Sequence, residues 1–141
     1  MKREIKFRGK RIDNGEWGYG SYYYDGVDGT HFVDNWRNTK PDPNDGSIDL
    51  IHEWHQVHPE TVGQYTGLND KDGNEIYEGD FVSTDLERPY TKIIFKNGAF
   101  MFECYDGNLY HDIFFPTSDL PKIKYEYGKV IGNIHDNPEL I

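Results

Sequence analysis

T-V-G-Q-Y-T-G-L-N-D-K-D-G-N-E-I-Y-E-G-D-F-V, from Thr61 to Val82, reads as a strand, a polar turn, a second strand and a corner into a third. Val62 and Gln64 alternate with Gly63 and Tyr65, and Gly67 is expected to end the first strand. Asn69 to Glu75 is rich in side-chain oxygen and superficially like a calcium loop. With Gly73 at the sixth loop position, however, the first falls on Leu68 and the third on Asp70, which breaks the EF-hand register. A hairpin turn through Asp72 and Gly73 is the better reading. At Glu78-Gly79-Asp80, Gly79 offers backbone freedom, and the Asp80 carboxylate is suited to accept nearby backbone N–H groups and pin a corner. Glu78 and Asp80 also form a carboxylate pair, but the local sequence offers neither a nucleophile nor a phosphate cradle beside it, so catalysis is not expected there.

N-terminal to this stretch, Arg3 to Gly9 alternates, placing Ile5 and Phe7 on one face of a half-buried strand. Asp13-Asn14-Gly15 predicts a tight hairpin turn, because Asn and Gly tolerate positive φ. Glu16 to Tyr24 returns as the second strand, with Trp17, Tyr19 and Tyr23 on one side, while Gly18 and Gly20 suggest a bulge or a close neighbour. Tyr22-Tyr23-Tyr24 suits a pleated surface better than a stacking platform for a base or sugar. From Asp25 to Asp49, Gly, Asp, Asn and Pro dominate; Thr30 to Val33 is the one expected strand, and Lys40 to Gly46 is loop. Ile48 to His58 reads as a strand closed by Pro59. It contains His52, His55 and His58, which on a helix would share a face and could ligate zinc. Strand alternation instead sends His55 to the opposite face, so neither a metal site nor a cofactor is expected.

On the C-terminal side, Phe81 to Thr84 is a strand and Leu86 to Pro89 a loop. Tyr90 to Phe95 and Ala99 to Tyr105 form a hairpin through Lys96-Asn97-Gly98. Cys104 shares a face with Phe100 and Phe102, which predicts an inert core thiol. Asp106-Gly107-Asn108 is a further turn. Leu109 to Phe115 is compatible with strand or helical turn, and Ser118-Asp119 reads as loop. Lys122 to Tyr127 alternates, and Val130 to Ile134 is the last strand. Asn137-Pro138 suits the start of a one-turn helix.

Bulk properties narrow the function. The 141 residues carry a net charge of −10. Residues 1–12 hold six Lys/Arg against Glu4, whereas the remainder holds nine basic and twenty-four acidic residues. An acidic body repels nucleic acid, so direct nucleic-acid binding is not expected. The chain has no apolar run long enough for a membrane span, and Met-Lys-Arg-Glu-Ile-Lys-Phe at residues 1–7 is not expected to act as a signal peptide. A single cysteine excludes an internal disulfide. A cytoplasmic location is the expectation.

Three segments carry a family resemblance: Arg3-Glu4-Ile5-Lys6-Phe7-Arg8-Gly9, the stretch Thr61–Val82, and Val130-Ile131-Gly132-Asn133-Ile134-His135-Asp136-Asn137-Pro138-Glu139-Leu140. Together they resemble the YopX family of phage and prophage proteins over nearly the whole chain, with no recognised motif in residues 20–58. The resemblance implies a small, largely β-stranded, phage-encoded protein in a bacterial host cell, with self-association an option. It brings no catalytic residues. Its recurrent positions (Gly63, Gln64, Thr66, Gly67, Asp72, Gly73, Gly79, Asp80, Gly132 and Asn133) are mostly turn formers.

The expected fold is mainly β: an N-terminal hairpin region over residues 1–50, then a small bent sheet or barrel of short antiparallel strands over 58–141, with at most short helices. The expected function is a non-enzymatic interaction with a host or phage protein, as a homo-oligomer or otherwise. The alternatives are an acidic decoy that mimics nucleic acid toward a host DNA-binding protein, and a metal-dependent enzyme using His52, His55 and His58 or Glu78 and Asp80.

Overall fold

The computed structural model describes residues 4–83, 90–106, 109–116 and 128–140. The described strands are β1 (Phe7–Lys10), β2 (Trp17–Asp25), β3 (Thr30–Asp34), β4 (Arg37–Asn38), β5 (Leu50–Ile51), β6 (Trp54–Gln56), β7 (Gly63–Asn69), β8 (Glu75–Tyr77), β9 (Asp80–Ser83), β10 (Thr91–Lys96), β11 (Ala99–Asp106), β12 (Leu109–Pro116) and β13 (Lys129–Asn133). Short 3-10 turns occupy Pro59–Thr61 and Pro138–Leu140. The fold is mainly β and antiparallel, as its short alternating segments and Gly/Asn/Asp turns require, and it is not a closed barrel. Two compact units divide it, Ile5–Gln64 and a second made of Met1–Glu4 with Tyr65–Ile141.

In the first unit the strand order is β6-β3-β2-β1, with Gly63 and Gln64 pairing Arg8 and Phe7 on the free side of β1. The sheet bends strongly: Ile12 N–H donates to Gln56 O and His58 N–H to Lys10 O, each at 2.9 Å. Glycine permits this bend. A Cβ at Gly9 would stand 2.9 Å from Val57, and one at Gly18 only 2.8 Å from Val33. The buried Val33 and Val57 therefore fill the space that those glycines leave. Gly20 has φ +149°, and a Cβ there would meet Asp34 O at 2.0 Å. Both glycines of β2 thus serve close approach. Ile5 departs from expectation: it is 70% exposed. The ladder pairing of β1 begins only at Phe7, two residues beyond it. The expected single strand over Ile48 to His58 is also two pieces, β5 and β6, interrupted at His52 and Glu53.

In the second unit β7 pairs β8, and a five-stranded open sheet runs β12-β11-β10-β9-β13. Gly67 does not end β7. Its φ of +87° lies within a register irregularity between Tyr65 and Asn69, and pairing resumes at Asn69 with Glu75. Ile76, Val82 and Ile93 form the core, with Leu68 and Val130 packed against it. Asn97 and Gly98 both take positive φ, the geometry of a tight hairpin turn. Residues 109–116 are strand, paired to β11. Cys104 stands opposite Ile113 in that ladder, but its side chain lies outside the described residues. The expected loops at Leu86–Pro89 and Ser118-Asp119, the glycine of the 106–108 turn and the strand at Lys122–Tyr127 also fall outside them.

The two family-like segments of the second unit meet in space. Val82, Phe81 and Asp80 face Val130, Gly132 and Asn133 across the β9–β13 pairing. Residues fifty apart in sequence thus build one corner.

Candidate interaction surface

The histidines do not converge. His52 Nδ1 lies 2.6 Å from Asp34 Oδ2, so the imidazole N–H donates to a buried carboxylate. His55 stands in β6 opposite Val33. His58 lies beyond the strand, its Nδ1 3.8 Å from Glu60 Oε1. Among the described residues no group of three or more His, Cys, Asp or Glu is placed to hold a metal ion.

Asp80 is buried, and its Oδ2 accepts the Tyr77 N–H at 2.8 Å. Gly79, at φ +90°, donates its N–H to Ile93 O and accepts from Ile134 N–H, joining β10 and the end of β13 to the corner. Glu78 is only partly buried beside it. Asn133 Oδ1 accepts the N–H groups of both His135 and Asp136 at 2.9 Å, and Asn137 Oδ1 accepts the Asn133 N–H. Gly132 leaves room for this: a Cβ there would stand 2.4 Å from Asn137 Oδ1. Gly73, at φ +84°, closes the turn with its N–H on Asp70 O. Asp72, by contrast, is exposed.

The residue that organises this turn is Asp70, which did not stand out in the sequence. Its Oδ1 accepts Asp72 N–H and Asn74 N–H, and its Oδ2 accepts the Asn74 side chain and Val130 N–H at 3.0 Å. Burial works to raise this carboxyl group's pKa, but the bonds from Val130, Asn74 and Asp72 outweigh it and hold the group below its ordinary value. An Asp three residues before a glycine was the available local signal. Its bond to Val130, sixty residues away, had none. Thr61 was missed similarly: its hydroxyl donates to His58 O at 2.6 Å and accepts Lys10 N–H at 2.8 Å.

These residues are structural; among the described residues, an aromatic surface of the first unit is left open to solvent. Tyr23 and Phe32 are cross-strand partners on β2 and β3, and Trp54 sits beside them on β6. The Trp54 ring lies 5.5 Å from Tyr23 and 6.4 Å from Phe32, edge-on to both. His52 stacks on Trp54 at 5.6 Å with 10° between the planes. Asp34 supports this arrangement from below, bonding His52 through Oδ2 and the Glu53 N–H through Oδ1. The β4–β5 arm adjoins the cluster along the chain and is held by Thr39–Asp49 and Asp42–Ser47 backbone bonds. Tyr23, Trp36, Ile48, Leu50 and Trp54 are each between 50% and 54% exposed. Each of these side chains leaves about half of its surface to solvent, and Tyr23 and Trp54 do so in mutual contact. Ile48, Leu50, His52 and Trp54 fall at every second position. That periodicity was legible, but it reads equally as a face turned toward the core.

A family model for YopX protein matches residues 6–141. Among solved structures, protein EF1440 from Enterococcus faecalis is similar, with 24% sequence identity and a TM-score of 0.57 over 99% of this chain and 99% of that chain. At that identity the likeness shows the fold alone. Comparison with curated proteins gives no match.

Proposed function

We propose that this chain, which belongs to the YopX family, works by binding another protein, through the aromatic surface around Trp54, and carries out no chemistry of its own. The observation supporting this reading is the half-exposure of Tyr23 and Trp54, two large rings in mutual contact on an ordered sheet. Protein contact surfaces are enriched in such rings, because burying them on association recovers a large apolar area at small entropic cost. The family resemblance suggests a phage or host protein inside a bacterial cell as partner.

The test is affinity capture from nuclease-treated bacterial lysate, with wild-type protein and the Tyr23→Ala/Trp54→Ala double variant as baits. Circular dichroism should show that both are equally folded. The expected result is a protein retained by the wild type and lost with the variant. Identical retention by both baits would place the contact elsewhere and end this reading of the surface.

A further inference from the structure

The segment that carries the exposed rings is also strongly acidic. Residues 25–53 contain seven acidic residues against Arg37 and Lys40, half of the chain's net charge in about a fifth of its length. Its one described Lys/Arg-to-carboxylate ion pair is internal: Arg37 Nε lies 3.4 Å from Glu53 Oε1. Asp25 lies two residues beyond Tyr23 on the same strand face, whereas Asp49 is exposed at a position that alternates with Ile48 and Leu50. Asp42 and Asp45 are exposed in the arm's loop, each accepting a backbone N–H two residues on. At Asp45 the bonds from Ser47 hold the carboxyl group below its ordinary pKa. Tyr and Trp ring faces carry negative π density, which attracts guanidinium and ammonium groups; His52 takes one face of Trp54 and leaves the other for such a group. Carboxylates around them add a longer-range field of the same sign.

We infer that the partner presents a basic, extended segment, with Arg or Lys side chains laid on the Tyr23 and Trp54 rings and steered there by the acidic arm of residues 25–53. This inference rests on the interaction reading above and names the chemistry of its partner. The net charge of −10 disfavours a second copy as the occupant except through its basic residues 1–12, so self-association is read as a separate outcome of the test. Arginine suits the site better than lysine, because its planar guanidinium stacks on a ring while its N–H groups reach a carboxylate.

The probes are short synthetic peptides that alternate valine with arginine, glutamine or glutamate. Each is titrated into the isotopically labelled whole protein, with the indole N–H signals of Trp17, Trp36 and Trp54 as reporters. The arginine peptide should shift Trp54 and Trp36 and leave Trp17 in place. Trp54→Ala should weaken its binding by about tenfold. Asp25→Asn should weaken it about twofold and flatten its salt dependence. Equal binding of the glutamine peptide at Trp54 would overturn the basic partner while keeping the apolar contact surface. Self-association that protects Trp54, with no peptide binding, would also overturn it and make a second copy the occupant. Should no peptide bind, the protein stay monomeric and lysate capture not depend on Trp54, both readings fall.

Discussion

Replacing Asp70 by Asn tests the claim that one carboxylate joins the central turn to the last strand. Asp70 is 6% exposed and accepts four hydrogen bonds from three residues. An Asn side chain retains one acceptor oxygen and turns its NH₂ toward two donors, either Val130 N–H with the Asn74 side-chain amide or the backbone N–H groups of Asp72 and Asn74. Bonds to a charged acceptor contribute about 1.5–3 kcal/mol each, but they are not additive within a network, so we expect Asp70→Asn to cost about 2–3 kcal/mol. Asp70→Ala should cost more, because Val130 N–H and the turn's N–H groups then lose their acceptor together. Asp72→Asn is the control: this neighbouring carboxylate is exposed, and its neutralisation should stay within about 0.5 kcal/mol. The assay is urea denaturation followed by tryptophan fluorescence.

The pH dependence gives a second readout of the same perturbation. The folded-state pKa of Asp70 is lowered from 3.8, so the native state favours the charged carboxylate. Its contribution is fully present above the unfolded value and is lost as pH falls below 3.8 through the folded value. Asn has no such titration. The stability gap between wild type and Asp70→Asn should therefore narrow as the solution is acidified through that range. A gap below about 0.5 kcal/mol at neutral pH, or one unchanged on acidification, would refute the reasoning.

Other substitutions test the remaining contacts. Gly20→Ala forces a Cβ to within 2.0 Å of Asp34 O at φ +149°, and should cost at least ~3 kcal/mol in denaturant unfolding. Asp80→Ala leaves the Tyr77 N–H without its carboxylate acceptor, with an expected loss of about 2–3 kcal/mol in the same measurement. Gly132→Ala crowds Asn137 Oδ1 and should lower the melting temperature and speed amide exchange at Asn133, His135 and Asp136. Thr66→Val removes the hydroxyl that donates to Ile76 O and accepts Leu68 N–H, and should cost about 1–2 kcal/mol.

The strand-and-turn plan was legible in the sequence because its signals are local. Alternation marks a strand wherever one face is buried, and Asn-Gly at residues 14–15 and 97–98 supplies the turn conformations that antiparallel neighbours need. Family membership was legible for the same reason, since the resemblance rests on the contiguous runs 3–9, 61–82 and 130–140. Gly79-Asp80 announced a corner because a positive-φ residue beside a short acceptor has few other uses. Tertiary structure decided which distant groups these local pieces would meet. Val130 N–H reaches Asp70 only because β13 pairs with β9, and Thr61 reaches Lys10 only because the first sheet bends. It also decided which side of an alternating run faces water. Period two defines two faces of a strand without naming the buried one, and in residues 48–54 the apolar face stayed outside. Burial depends on what packs above a strand, and in this chain the glycines at 9 and 18 let Val57 and Val33 close the interior from the other side.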